Sequence, residues 1–224
     1  VTGFDGPEER AHGIDCGADD FLAKPVNLAE LQLRVQSQVR LHRLQRELSH
    51  RGRILQLPEL ASDASPSGRV FVLEDDLEWR TLLIEPLRAA GYTVESAGDL
   101  RSGIAAIARA EPDVVLVDLR LPDGDGSEII RRFRQLNPGR HTPAIIVVTA
   151  LDDEEQKLEC LRLGADDFVA KPISPLEVVA RVGSQMRRIR ASAQAADQAE
   201  KALGDAYTDA LTGVYNRRYL DEDL

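Results

Sequence analysis

Residues 113–118 read DVVLVD and residues 144–149 read AIIVVT. Both are short, almost purely apolar runs without polar alternation, the pattern of strands covered on both faces. Working outward from this pair, RVFVL (69–73), YTVESA (92–97) and FVA (168–170) supply three more strand candidates. Between them, residues 77–90 carry apolar side chains at helical spacing and stop at Gly91, a helix C-terminal signal. Residues 99–110 predict a small-residue helix and residues 127–136 another. A fourth covers about 153–163 and ends at Gly164, and a fifth begins near Ser174-Pro175. Five strands alternating with five helices predict an α/β fold: a doubly wound, five-stranded parallel sheet with helices on both faces. In such sheets ligands bind beyond the C-terminal strand ends, at the switch point in strand order.

The last part of this pattern is written twice. GADDFLAKP occupies residues 17–25 and GADDFVAKP residues 164–172. The offset that aligns these peptides also places Val1-Thr2 on Val148-Thr149, Asp5 on Asp152, Glu8 on Glu155 and Lys24-Pro25 on Lys171-Pro172. Glu30, Arg34, Val35, Ser37, Gln38 and Arg40 fall on identical residues too. Self-similarity at a fixed offset marks a repeated structural unit. Residues 1–47 are therefore expected to be the C-terminal part of a first unit, and 69–190 a complete second one. Residues 48–68 form a linker, flexible by composition over ASDASPSG (61–68).

Composition narrows the function. Asp and Glu number 38 against 28 Lys and Arg, a net charge of −10. No nucleic-acid partner is expected, because phosphate contact needs a basic face. The arginines at 40, 43, 46, 51 and 53 read as a solvated helix face. No long apolar run and no leading signal segment is present, so no membrane span and a cytoplasmic location are expected. Cys16 and Cys160 have no CxxC and no histidine partner, and read as small buried hydrophobes of a reducing compartment. His12, His42, His50 and His141 show no metal-ligand spacing. The chain begins at Val1, not methionine, and is read as a piece of a longer protein.

The strand ends carry the chemistry. Glu74, Asp75 and Asp76 follow the first strand and Asp118 ends the third. Thr149 and Ala150 end the fourth, and Lys171-Pro172 follow the fifth. Asp76 alone reads as an ordinary solvated loop acid. The others share the functional edge of one sheet. Two carboxylates about 4 Å apart repel by roughly 4 kcal/mol at an effective dielectric of 20. A divalent cation relieves that cost, and hard oxygen ligands suit Mg²⁺. A nearby lysine and hydroxyl complete a site able to hold a phosphoryl group. A calcium-loop reading of LPDGDG fails: counting from Asp123, the sixth position is Glu128 and the twelfth Arg134, where glycine and glutamate are needed. Gly124 and Gly126 instead predict a tight loop after the third strand.

VFVLEDD, VVLVDLRLPDGDG, VTA (148–150) and AKP (170–172) together resemble the receiver domain of two-component response regulators, a flavodoxin-like fold. The resemblance covers residues 69 to about 190 fully and residues 1 to about 45 in part. It implies that Asp118 is the phosphoacceptor for a sensor histidine kinase or histidine phosphotransfer protein. It implies Mg²⁺ on Asp75, Asp118 and the Arg120 backbone carbonyl, with Glu74 holding it through water. Thr149 and the adjacent Ala150 would receive the phosphoryl oxygens, and Lys171 would neutralise their charge. Phe168 takes the aromatic switch position, a ring without the hydroxyl of the tyrosine found in many relatives. In the first unit Thr2, Phe21 and Lys24 are the counterparts, and its acidic pair and phosphoacceptor lie outside this chain.

After the second receiver, an extended helix over 176–207 is expected. Val179, Val182, Met186, Ile189, Ala193, Ala196 and Leu203 follow alternating three- and four-residue steps, with Glu200 interrupting. That spacing predicts a seam for a parallel pair of helices and thus a homodimer on phosphorylation. DALTGVYNRRYL (209–220) resembles the opening of a GGDEF domain, the diguanylate cyclase catalytic domain, so 208–224 is read as its start. The catalytic loop and GTP contacts belong to the part beyond Leu224, so the chain itself carries no cyclase centre. The resemblance implies a phosphorylation-controlled producer of cyclic di-GMP. The competing reading is a receiver acting only through protein contacts, with a degenerate output. A transcription factor is disfavoured by charge and by the lack of a helix-turn-helix segment.

Overall fold

The computed structural model describes residues 68–135, 142–150 and 154–207, together with four helical positions, Leu28, Leu31, Gln32 and Val35. Thr2, Phe21, Lys24, linker residues 48–67 and residues 208–224 lie outside the described residues. The chain divides into two compact units, one of residues 1–37 and 63–187, the other of residues 38–62 and 188–224.

The first unit is built on a five-stranded sheet. In chain order its elements are β1 (Arg69–Leu73), α1 (Leu77–Ala89), β2 (Thr93–Ala97), α2 (Leu100–Ala110) and β3 (Val114–Asp118). There follow two short strands, β4 (Arg120–Leu121) and β5 (Gly124–Asp125), then α3 (Ser127–Arg134), β6 (Ala144–Ala150) and α4 (Glu154–Leu163). β7 (Asp167–Lys171) and α5 (Pro175–Tyr207) complete the described chain. The sheet order is β2-β1-β3-β6-β7 and every pairing is parallel. β3 and β6 are buried throughout their described side chains, as their apolar runs require. The order reverses after β2: the chain returns to β3 on the far side of β1. The carboxyl ends of β1 and β3 therefore flank the crevice where such sheets bind ligands.

Local signals match the elements. Asp76 caps α1, its side chain accepting from the Glu78 and Trp79 N–H groups, and Asp99 caps α2 by accepting from Ser102 N–H. Gly91 and Gly164, just beyond α1 and α4, take the positive φ that glycine adopts most readily at a helix end.

Two expectations are corrected. The glycine-containing loop after β3 is not a plain turn: Arg120–Leu121 and Gly124–Asp125 pair as an antiparallel ribbon. Its closure needs Gly126, where a Cβ would stand 2.0 Å from the Asp118 carbonyl oxygen. The seam on the last helix also differs. Val182 is 0% and Met186 4% exposed within the single chain. Met186 lies against Gly68, where an added Cβ would meet its Cε at 2.6 Å. The first turns of α5 bury this stripe in their own unit, because an apolar face at helical spacing serves the core as readily as a partner helix. Those two side chains are not available to a second copy. Val179 and Ile189 are half-buried and Ala193 is exposed. The side chain of Ala196, and Leu203, are outside the described burial.

Candidate functional site

Glu74 is the residue directly after β1. Its N–H donates to the Ala97 carbonyl (3.2 Å) and its own carbonyl accepts from Arg80 Nη1 (3.1 Å), so its backbone is fixed on both sides. The side chain is 1% exposed. Asp118 is the last residue of β3, is buried, and accepts from the Arg120 N–H through Oδ1 (3.1 Å). Lys171 ends β7. Its Nζ donates to Asp118 Oδ2 (2.6 Å) and Glu74 Oε1 (2.9 Å), joining two elements of the sheet edge. Glu74 Oε2 lies 2.8 Å from Nζ as an ion pair and makes no further hydrogen bond. Asp75 is exposed. Oxygens of Glu74, Asp75 and Asp118 all lie within 4.8 Å of one another.

The electrostatics follow from that crowding. Burial, with help from the Asp118 charge, pushes Glu74 up from its ordinary 4.5 to about 7, against the opposing pull of Lys171. For Lys171, burial works against the charged form, but the bonds to Asp118 and Glu74 outweigh it and its pKa is raised. One ammonium thus serves two buried carboxylates with a third at the rim. The oxygen-only donor set, its short separations and the single ammonium shared by the two buried carboxylates fit a hard divalent cation such as Mg²⁺.

The other expected residues fall on the same edge. Thr149 is buried near the end of β6, where it pairs with Ala170, and Ala150 pairs with Lys171. Phe168, half-buried on β7, packs against the core cluster that includes Val147 and Val117. Arg120 contributes its backbone, while its side chain is exposed. Asp76 is neither a ligand nor a merely solvated acid; it is the α1 cap, signalled by an aspartate immediately before an apolar-periodic run. Asp123 turns away from any cation-loop role, accepting the Leu100 and Arg101 N–H groups at 2.7 and 3.0 Å. Sequence reasoning missed Trp79 and Arg80, which the first turn of α1 brings to the site. Their signal was position alone: the turn after a strand that ends in acids.

A response regulator receiver domain model matches residues 70–183. The chain belongs to that family. "Response regulator PleD" of Caulobacter vibrioides is 29% identical over 229 residues, covering 100% of this chain and 50% of that protein. "Probable transcriptional regulatory protein TcrX" of Mycobacterium tuberculosis is 38% identical over 119 residues, 53% of this chain and 50% of its own length. The chain thus spans about half the length of these curated relatives. A crystal structure of a response regulator from Chloroflexus aurantiacus superposes with a TM-score of 0.50 at 32% identity, covering 54% of this chain and 98% of that one. The family-model match falls within the stretch from β1 to the first part of α5. Among the described residues no helix is long and apolar enough to cross a membrane.

Proposed function

We propose that this receiver is a phosphoacceptor module in a His–Asp phosphorelay, with Asp118 as the nucleophile. The observation that carries the reading is the convergence of Asp118, Lys171, Glu74 and Asp75 on one crevice. It pairs a buried carboxylate with an ammonium at 2.6 Å and sets oxygens of two further carboxylates within 4.8 Å of it. A carboxylate oxygen of Asp118 attacks the phosphorus of a phosphohistidine on a sensor kinase or phosphotransfer protein. The new P–O bond forms as the P–N bond breaks, and the electron pair leaves on the imidazole nitrogen. Lys171 exchanges its carboxylate bond for the phosphoryl oxygens, and the Thr149 hydroxyl donates to another. Mg²⁺, held by Glu74, Asp75, Asp118 and the Arg120 carbonyl, would neutralise charge on those oxygens. Phe168 follows Thr149 and reshapes the surface near β7 and α5.

The same reading places the module upstream of a diguanylate cyclase. Its support is the GGDEF-like DALTGVYNRRYL at 209–220, the repeated receiver half at 1–47 and an alignment with PleD that runs along the whole chain. The domain boundaries are those of the sequence: 1–47, 48–68, 69–190, the helix over 176–207, and 208–224. Phosphorylation would favour a homodimer paired through α5 beyond Arg187, since the stripe before it is buried.

Labelling by acetyl phosphate with Mg²⁺ tests the receiver role. Wild type takes up phosphoryl and Asp118→Asn does not; equal labelling of the two would remove Asp118 from the mechanism. For the output, the full-length protein supplied with GTP should make cyclic di-GMP faster when phosphorylated, and a rate indifferent to phosphorylation would leave only the protein-contact role.

A further inference from the structure

Lys171 has a third neighbour besides its two carboxylates. Its Nζ lies 5.2 Å from the centroid of the Trp79 ring. That is inside the ~6 Å within which an ammonium is attracted to an aromatic face. Trp79 is the only tryptophan of the chain and is half-buried on the first turn of α1, outside the apolar core. The backbone of that turn is capped by Asp76 and tied to the end of β1 through Arg80. Trp79 N–H donates to Asp76 Oδ1 at 3.0 Å, and the next residue, Arg80, reaches the Glu74 carbonyl at 3.1 Å. The backbone that carries the ring is therefore anchored beside an otherwise flexible four-carbon side chain.

We propose that Trp79 is a positioning residue: its ring holds the Lys171 ammonium over the crevice while that ammonium passes from the Asp118 carboxylate to the phosphoryl group. The inference rests on reading Asp118 as the phosphoacceptor. In the resting site the carboxylates fix Nζ. Once Asp118 carries a phosphoryl group, its charge moves outward and the lysine must follow. A lysine side chain loses much rotamer freedom on being fixed. A ring that attracts the ammonium in both positions lowers that cost without competing for hydrogen bonds.

The test uses the whole chain and the phosphoryl mimic beryllofluoride. Calorimetry measures Mg²⁺ binding alone, then beryllofluoride binding in saturating Mg²⁺, for wild type, Trp79→Ala, Trp79→Leu, Trp79→Phe and Asp118→Asn. Trp79→Ala and Trp79→Leu should weaken beryllofluoride binding about threefold to tenfold, the size of a cation–π contact at a partly buried ammonium. Their Mg²⁺ binding should be unchanged, because Lys171 meets the phosphoryl group and not the metal. Trp79→Phe keeps a ring and should recover most of the loss. If Trp79→Ala does not fold, the leucine and phenylalanine variants decide, since they differ in the π-face while both keep apolar bulk. Beryllofluoride binding equal to wild type in the leucine variant would overturn the proposal. So would a parallel loss of Mg²⁺ binding, which marks a structural role, or a phenylalanine variant as weak as the leucine one. Asp118→Asn separates the two claims: if it still binds beryllofluoride as wild type does, the phosphoacceptor reading fails whatever Trp79 does.

Discussion

β7 carries a charged residue at each end, and each belongs to a buried cluster of two carboxylates around one cation. At its start, Asp167 accepts from Arg181 Nη1 at 2.9 and 2.7 Å, while Glu177 Oε1 accepts from Arg181 Nε and Nη2 at 3.2 and 3.1 Å. At its end, Lys171 serves both Asp118 and Glu74, while the exposed Asp75 brings a third carboxylate beside them. The planar guanidinium fills its two carboxylates from a fixed fork, whereas an ammonium is a compact point charge. The first cluster is closed, buried on every member, and ties the root of α5 to the sheet. The second is open toward the crevice, short of donors and rich in oxygen lone pairs. The difference separates a structural ion network from a site built to receive another charged group.

The comparison breaks most visibly if the cations are exchanged for apolar side chains. Arg181→Met should cost about 3–5 kcal/mol in urea unfolding, the usual result of stranding buried carboxylates. Lys171→Met should cost less, because Glu74 already sits near pH 7 and can take up a proton. Equal losses would mean the two clusters play the same structural part.

Glu74 supplies a pH test of the open cluster. Its folded-state pKa is raised from 4.5 to about 7. Its contribution to stability is therefore fully present below pH 4.5 and is lost as pH rises through about 7. Relative to Glu74→Gln, wild type should lose up to about 3 kcal/mol across that window. A difference that stays flat with pH would show that Glu74 is not held in a desolvated place.

Mg²⁺ sharpens the contrast from the other side. At a hundred times its dissociation constant the metal should stabilise wild type by about 2.7 kcal/mol, and removing Asp118 or Asp75 should erase most of that gain. Arg181→Met, if it folds, should keep the gain, since the closed cluster offers no free oxygens. A metal response lost there and kept in Asp75→Asn would reverse the assignment.

The smallest effect concerns Cys160. Burial pushes its thiol up to about 12. Alkylation at pH 8, mapped by mass spectrometry, should leave Cys160 unmodified in the native protein and label it in urea. Rapid native labelling would contradict its place in the core.

Much of this arrangement was legible in the sequence. The strands announced themselves because a sheet covered on both faces demands unbroken apolar runs, and Glu74, Asp118 and Lys171 stood out because acids and a lysine have no packing use at strand ends. The β4–β5 ribbon was not legible, since two-residue strands show no periodicity. Asp76 was read as solvated although its place before α1 marked it as a cap. Arg181 looked like any helix arginine; only its burial beside Asp167 and Glu177 reveals the closed cluster. The α5 stripe was misjudged because Val182 and Met186 satisfy a heptad and a core-facing helix equally well. Trp79 was signalled only by its position in the turn after β1, as the cation it meets is distant in sequence.

The central claim is that Asp118 is the carboxylate that becomes phosphorylated. Borohydride reduces an acyl phosphate of aspartate to homoserine, which tandem mass spectrometry locates by residue. After incubation with acetyl phosphate and Mg²⁺, homoserine should appear at position 118 and at no other, and should vanish when the metal is chelated. Homoserine at Asp75 or another carboxylate, with position 118 unmodified, would contradict the account.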